Sequence, residues 1–432
     1  MFCQVSLEMK KAQCRQNGVG GGFRGGNWNN ASTNARPSDR NNAANTNSNR
    51  NNNNGFRLAK TSRLCFFREI GAEGNHSATR WIVKLKDLYE KIISKENLYR
   101  SARRAALGKR YRDSTADFNF HLEKDVEILR RELADGTYRH GAYRSFMIHE
   151  PKKRMISAAP FRDRVVHHAA HDIIEPLIDK TFIHDSYACR QGKGTHKAVD
   201  RAQSFLRANR FCLHGDIRKY FPSIDHGILK AMFAKRIVDK KLLWLLTEIV
   251  DSAPNLGAYV GRPKGLPIGN LTSQFFANLY LNELDYFVKF ELRLRYYLRH
   301  MDDFLIFSSD KTCLIEIRNR IRDFLGSELK LELHKSKSQI YETAKGVKFL
   351  GFRLYENYRR LAADNVRRFR ERLRGFVDSF RKGSIAAVKI CDSVRCWTAH
   401  SRYADTVRLR RGIFSGLEHD RAGALLKDIL LS

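Results

Sequence analysis

The sequence predicts an α+β protein, with an antiparallel sheet near the middle of the chain, helices on one face of it, and helical segments on either side. Three observations carry that expectation. Tyr297-Leu298-Arg299-His300-Met301-Asp302-Asp303-Phe304-Leu305-Ile306-Phe307 sets two apolar, aromatic-rich runs around a short polar break, the pattern of a β-hairpin. Phe211 to Asp216 is another strand-like run, separated from the hairpin by helical stretches. On both sides of this centre apolar residues recur every three to four positions, the period of an amphipathic helix.

Taken in order, residues 18 to 58 hold glycine, then asparagine in runs such as Asn51 to Asn54, with too little apolar content to bury a core. A disordered leader over 1–78 is expected. From Thr79 to Tyr138 two helical stripes follow, Ile82, Leu85, Leu88, Tyr89 and Ile92, then Phe120, Leu122, Val126, Leu129 and Leu133. Tyr143 to Ala159 reads as short strands joined by Glu150-Pro151-Lys152-Lys153-Arg154. A helix rich in His and Asp comes after Phe161, then an irregular loop from Ser186 to Thr195. The centre runs strand (Phe211 to Asp216), helix (Asp225 to Lys235), helix (Asn270 to Phe290), hairpin (Arg295 to Ser308), helix (Cys313 to Leu325) and strand (Leu329 to Leu333). In the last segment Val366, Phe369, Leu373, Phe376, Val377 and Phe380 form one stripe. Arg367, Arg368, Arg370, Arg372 and Arg374 cover the other side, as a solvated face or as one that touches a nucleic-acid backbone.

The chain has 432 residues, with 79 Lys+Arg against 46 Asp+Glu, a formal charge of +33. Such an excess implies a polyanionic partner, and the lack of any apolar run of membrane-spanning length favours nucleic acid over a membrane. The eight cysteines show neither zinc spacing nor a secreted scaffold pattern, and no apolar signal segment is visible. Reduced thiols in a cytoplasmic protein are expected.

Two aspartates pinned at a hairpin tip repel each other, and a divalent cation with oxygen ligands is the usual compensation. Two-metal phosphoryl transfer needs about three converging carboxylates, so that cations about 3.5–4 Å apart clamp the attacking and leaving oxygens. The third candidate is Asp216, at the end of its strand. If that strand lies beside the hairpin, Asp216, Asp302 and Asp303 meet at one edge of the sheet.

With these residues in view, positions 80 to 420 resemble a reverse transcriptase. His214-Gly215-Asp216-Ile217-Arg218-Lys219-Tyr220-Phe221 is similar to the family's first catalytic block, and His300-Met301-Asp302-Asp303 to its Tyr-x-Asp-Asp block. Leu329 to Ser338 resembles the later lysine-bearing block, and Val347-Lys348-Phe349-Leu350-Gly351-Phe352 the primer grip. The resemblance implies a right-hand polymerase, with helical fingers (79–205), an antiparallel-sheet palm (206–352) and a basic helical thumb (353–432). It implies that Asp216, Asp302 and Asp303 hold two Mg²⁺ ions, and that Lys337, or Lys335, protonates pyrophosphate. Lys153 and Arg154 would grip the nucleotide phosphates, Arg154 through a guanidinium fork. Phe221 would sit under the sugar or simply pack in the core, Ile268 and Gly269 would line the nucleotide site, and Phe349, Leu350 and Gly351 would hold the primer end. Arg190 is a further candidate for template or nucleotide contact. The implied partners are template RNA, a DNA or RNA primer and dNTPs. One departure stands out, His300 in place of the family's tyrosine.

The block Gly265-Leu266-Pro267-Ile268-Gly269-Asn270-Leu271-Thr272-Ser273-Gln274 carries Ile268 where many relatives have glutamine. It is similar to reverse transcriptases of diversity-generating retroelements, which make mutagenic cDNA from a template-repeat RNA. An apolar Ile268 cannot donate the hydrogen bond a glutamine would offer near the nascent pair. The Asn-rich stretch 18–58 looks like an in-frame translation of such a repeat. The family usually works with a small basic helical accessory protein. Alternatives are a group II intron-like or retron enzyme, and a non-catalytic nucleic-acid-binding protein on the same scaffold.

Overall fold

The computed structural model describes residues 85–149, 153–254 and 263–415. The leader at 1–78, with its repeat-like stretch, lies outside them, as do Ile82 and Glu150 to Lys152. Strands β1 (Arg144–Ile148) and β2 (Arg154–Ala158) pair antiparallel as a ribbon, in line with the sequence. The central sheet holds β3 (Phe211–Asp216), β4 (Tyr297–His300), β5 (Asp303–Ser308) and β6 (Gln339–Glu342). Its order is β4-β5-β3-β6, and every pairing is antiparallel.

The hairpin is tighter than its sequence suggests. His300 pairs with Asp303, so the turn is Met301-Asp302, and Asp303 already belongs to β5. Met301 takes a φ of 59°, the left-handed conformation such a tight turn demands.

Helices on one face of the sheet is corrected by the structure, because both faces are covered. Leu213, Phe304 and Ile306 share a core with Leu314 and Ile317 of the helix Lys311–Ser327 and with Leu279 and Tyr280 of the helix Leu271–Tyr286. Cys212, Leu298, Leu305 and Phe307 share a second core with Phe205 and Leu206 of the helix Thr195–Arg207 and with Phe349 and Phe352. The physical reason is visible in Phe304-Leu305-Ile306-Phe307, an unbroken apolar run that puts greasy side chains on both sides of β5.

The expected strand Leu329 to Leu333 is also corrected. Lys330 sits at φ 52°, which breaks the extended run, and only a single bridge, Ile217 to Leu333, remains. The fourth strand is β6 instead.

Before the sheet, the helices Lys95–Ala106, Leu122–Ala134 and Phe161–Asp179 pack Leu98, Leu129, Leu133, Val165 and Ala169 inward. Ser94 caps the first of these, its side chain accepting the Asn97 N–H at 3.3 Å. Phe120 departs from its expected stripe: it ends the helix Asp113–Phe120 and is 85% exposed. After the sheet, β7 (Val347–Phe349), β8 (Phe352–Leu354) and β9 (Arg359–Leu361) form a small antiparallel sheet. The helix Ala363–Arg381 then buries Phe369, Leu373 and Val377 as its periodicity predicts, with Phe369 stacked on Trp397 at 3.9 Å.

Candidate active site

Strand register brings Asp216 and Asp303 side by side. Asp216 ends β3 and Asp303 begins β5, and the two are direct cross-strand partners. Asp302 occupies the adjoining turn, where its carbonyl accepts the Ile217 N–H at 3.3 Å. Side chains alternate along a strand, so His214, two residues before Asp216, lies on the same face. Its Nε2 hydrogen-bonds the Oδ1 of Asp303. The Lys337 Nζ donates to both carboxylate oxygens of Asp216, at 2.9 and 3.0 Å. The loop bearing Lys337 is tied to the end of β3, since the His334 N–H donates to the Asp216 carbonyl at 2.8 Å and the Asp216 N–H to Ser338 Oγ at 3.4 Å.

The electrostatics follow from this crowding. Burial, then the neighbouring charges of Asp303 and Asp216, push the Asp302 carboxyl up to about 6. Burial pulls the His214 imidazole down, but the Asp303 carboxylate and then Asp216 outweigh it and leave the group raised. Burial lowers the Arg154 guanidinium while the charge of Asp302 works against that, so Arg154 lies within electrostatic reach of the site. Lys153 beside it is exposed, as is Lys335.

The other sequence candidates have the following surroundings. Phe221 is 3% exposed, in the core beside Tyr220, and its carbonyl accepts the Leu266 N–H at 2.9 Å. Ile268 is half-buried, and its carbonyl accepts the Ser157 N–H of β2 at 3.1 Å. Gly269 takes a φ of 117°, and a Cβ there would meet Ile156 Cγ2 at 2.9 Å, so only glycine fits. Buried Asn270 clamps the same strand, donating to the Ser157 carbonyl at 3.2 Å and accepting the Ala159 N–H at 3.4 Å. Leu350 and Gly351 form the turn between β7 and β8 with φ of 47° and 88°, and the Phe349 ring stands edge-on to His214 at 6.5 Å. The His300 ring is buried, and burial above all pushes its pKa down to about 3, which keeps it neutral.

Arg190 is a correction. Its guanidinium side chain is 7% exposed and donates to Asp179 and to the carbonyls of Ile183 and Ser186, so it ties its own loop together. Sequence reasoning also missed His214, Asn270 and a fully buried Arg299. For His214 the signal was available in its two-residue offset from Asp216. For Asn270 it was not, since Ser157 and Ala159 are remote in sequence, and for Arg299 nothing local points to Asp285 on a separate helix.

Three carboxylates supply hard oxygen donors that suit Mg²⁺, and the raised Asp302 marks negative charge that a cation would relieve. Among the described residues no group of three or more His, Cys, Asp or Glu side chains is placed to hold a metal ion as it stands. Lys337 contacts both carboxylate oxygens of Asp216, and His214 contacts one oxygen of Asp303.

Comparison with known proteins gives a family match over the middle of the chain. Residues 148–354 match the family model for reverse transcriptase (RNA-dependent DNA polymerase). Protein YkfC of Escherichia coli (strain K12) is 27% identical over 277 residues, covering 54% of this chain and 72% of YkfC. Group II intron-encoded protein LtrA of Lactococcus lactis subsp. cremoris is 25% identical over 332 residues, 62% of this chain and 54% of LtrA. A putative COX1/OXI3 intron 2 protein of Saccharomyces cerevisiae is 22% identical over 297 residues, 55% of this chain and 33% of that protein. The match to LtrA thus spans little more than half of its length. Among the described residues no helix is long and apolar enough to cross a membrane.

Proposed function

We propose that this chain is an RNA-directed DNA polymerase with Asp216, Asp302 and Asp303 as its reaction centre, a reading supported by the match of residues 148–354 to the reverse transcriptase family model. The observation that carries the proposal is the cross-strand pairing of Asp216 with Asp303, with Asp302 in the turn beside them. These three would hold two Mg²⁺ ions, which when bound would activate a primer hydroxyl and stabilise departing pyrophosphate. Lys337, which donates to Asp216, would hand a proton to the leaving group. Arg154 and Lys153 would bind the nucleotide phosphates, and the Phe349-Leu350-Gly351 turn beside His214 would hold the primer end. In this scheme the sheet is the palm, the helices before it the fingers, and the helices after β9 the thumb. The test is dNTP incorporation on a primed RNA by the wild type and by Asp302→Asn/Asp303→Asn. Equal signal from the two would defeat the enzymatic reading.

For the subtype, Ile268 and the Asn-rich stretch support a mutagenic enzyme of a diversity-generating retroelement, working with a small basic accessory protein on template RNA. LtrA and the intron proteins among the relatives support a group II intron-like enzyme. Ile268→Gln separates the two. A fall in misincorporation opposite template adenine supports the retroelement, and an unchanged error rate removes Ile268 from that argument.

A further inference from the structure

The hairpin that carries Asp302 is held from beneath by a buried ion pair. Arg299, fully buried on β4, donates from Nε and Nη2 to the two carboxylate oxygens of Asp285, at 2.7 and 2.6 Å. Asp285 belongs to the helix Leu271–Tyr286, is itself fully buried, and also accepts the Tyr297 hydroxyl at 2.6 Å. The fork of Arg299 has donors left over. Its Nη1 reaches Asn278 Oδ1 at 3.2 Å and the Met301 carbonyl at 3.0 Å, and its Nη2 reaches Ser186 Oγ at 3.3 Å. Met301 is the first residue of the turn and Asp302 the second. A guanidinium offers five donors in a rigid plane, so one side chain can fix a helix, a loop and a turn carbonyl at once.

We infer that Arg299 is a positioning residue for the proposed reaction, holding the Met301-Asp302 turn at a fixed height above the helix Leu271–Tyr286 so that the Asp302 carboxylate stays in place beside Asp216 and Asp303. The charge of Arg299 is already matched by Asp285, so its contribution to the site is geometric. This rests on the polymerase reading above. A shift of order 1 Å at a reacting group costs roughly 100-fold in rate, and Met301, at a left-handed φ, has no conformational reserve to hold the turn unaided.

Removing Arg299 alone strands a buried carboxylate and unfolds part of the protein for reasons unrelated to positioning. The informative variant is therefore Arg299→Met/Asp285→Leu, which removes both charges together. Two readouts are made, Mn²⁺ affinity by electron paramagnetic resonance without nucleotide, and primer extension on RNA with kcat separated from KM. The expected result is a folded protein whose Mn²⁺ affinity falls several-fold and whose kcat falls roughly 10–100-fold with KM for dNTP little changed. Should this variant melt early, Arg299→Lys keeps the charge balance but cannot reach Met301 and Asp285 together, and the same losses are expected of it. Wild-type Mn²⁺ affinity and kcat in a folded variant would overturn the inference. A wild type that fails to extend a primer at all would instead defeat the polymerase reading.

Discussion

Gly215 offers the sharpest perturbation of the site short of touching an aspartate. It precedes Asp216 on β3 and faces Phe304, which follows Asp303 on β5. A Cβ built at Gly215 would clash with the tip of the Phe304 ring, whose Cζ, Cε2 and Cε1 are its three nearest atoms. Phe304 is 1% exposed and packed beside Tyr297, so the ring has no room to swing away. Overpacking a tight core costs about 1–3 kcal/mol, and contact with a locked ring puts Gly215→Ala at the upper end. The strain must separate β3 from β5 at the pair that aligns Asp216 with Asp303, so kcat should fall roughly 10–100-fold as well. Urea denaturation of wild type, Gly215→Ala, Phe304→Leu and the double variant gives the test. The double variant should be more stable than the sum of the singles predicts, by about 1 kcal/mol or more. Strictly additive costs, or a Gly215→Ala protein with wild-type midpoint and activity, would refute the steric argument.

Three further outcomes are expected. The Lys337–Asp216 pair is near the surface, with side chains 47% and 20% exposed, and should contribute no more than about 1 kcal/mol. Lys337→Met should therefore keep its urea midpoint while primer extension drops about 100-fold or more if the lysine works as a general acid; parallel losses in both would mark the lysine as structural. Asn270→Leu strands the Ser157 carbonyl and the Ala159 N–H of the segment behind Arg154, at a cost of about 1–3 kcal/mol. Hydrogen exchange at the Ala159 amide should accelerate, and an unchanged rate would show the clamp to be unnecessary. The Lys109 ammonium is lowered to about 8 by burial first and then by Arg164 and Arg112. Between about 8 and its ordinary 10.5 the folded protein binds fewer protons than the unfolded chain, so Lys109 makes stability rise with pH across that window. Lys109→Met should flatten the rise and increase stability at pH 7, as seen in urea midpoints; the same slope in both proteins would contradict this.

What the sequence discloses depends on whether the signal is local. β3 and the hairpin are legible because their apolar runs are bounded by Asp216 and by the Met301-Asp302 break. The convergence of three aspartates follows once the strands are adjacent. The edge strand Gln339–Glu342 is not legible, because only Ile340 is apolar on its buried side and pairing with Phe211 to His214 defines it. Leu329 to Leu333 has the alternation of a strand, yet Lys330 turns out of extended geometry and the leucines bury against the end of the preceding helix instead. Arg190 and Arg299 are both basic residues whose partners the sequence does not announce. Only the fold shows both turned inward, the first onto Asp179 and the second onto Asp285.

The most direct measurement is anomalous diffraction from crystals of the protein soaked in Mn²⁺ with a primed RNA template and a non-hydrolysable dNTP. Two peaks contacted by the carboxylates of Asp216, Asp302 and Asp303, with Lys337 withdrawn from Asp216, are the expected result. Density elsewhere, or none near these three side chains in crystals that hold the template and nucleotide, would contradict a two-metal polymerase centred on them.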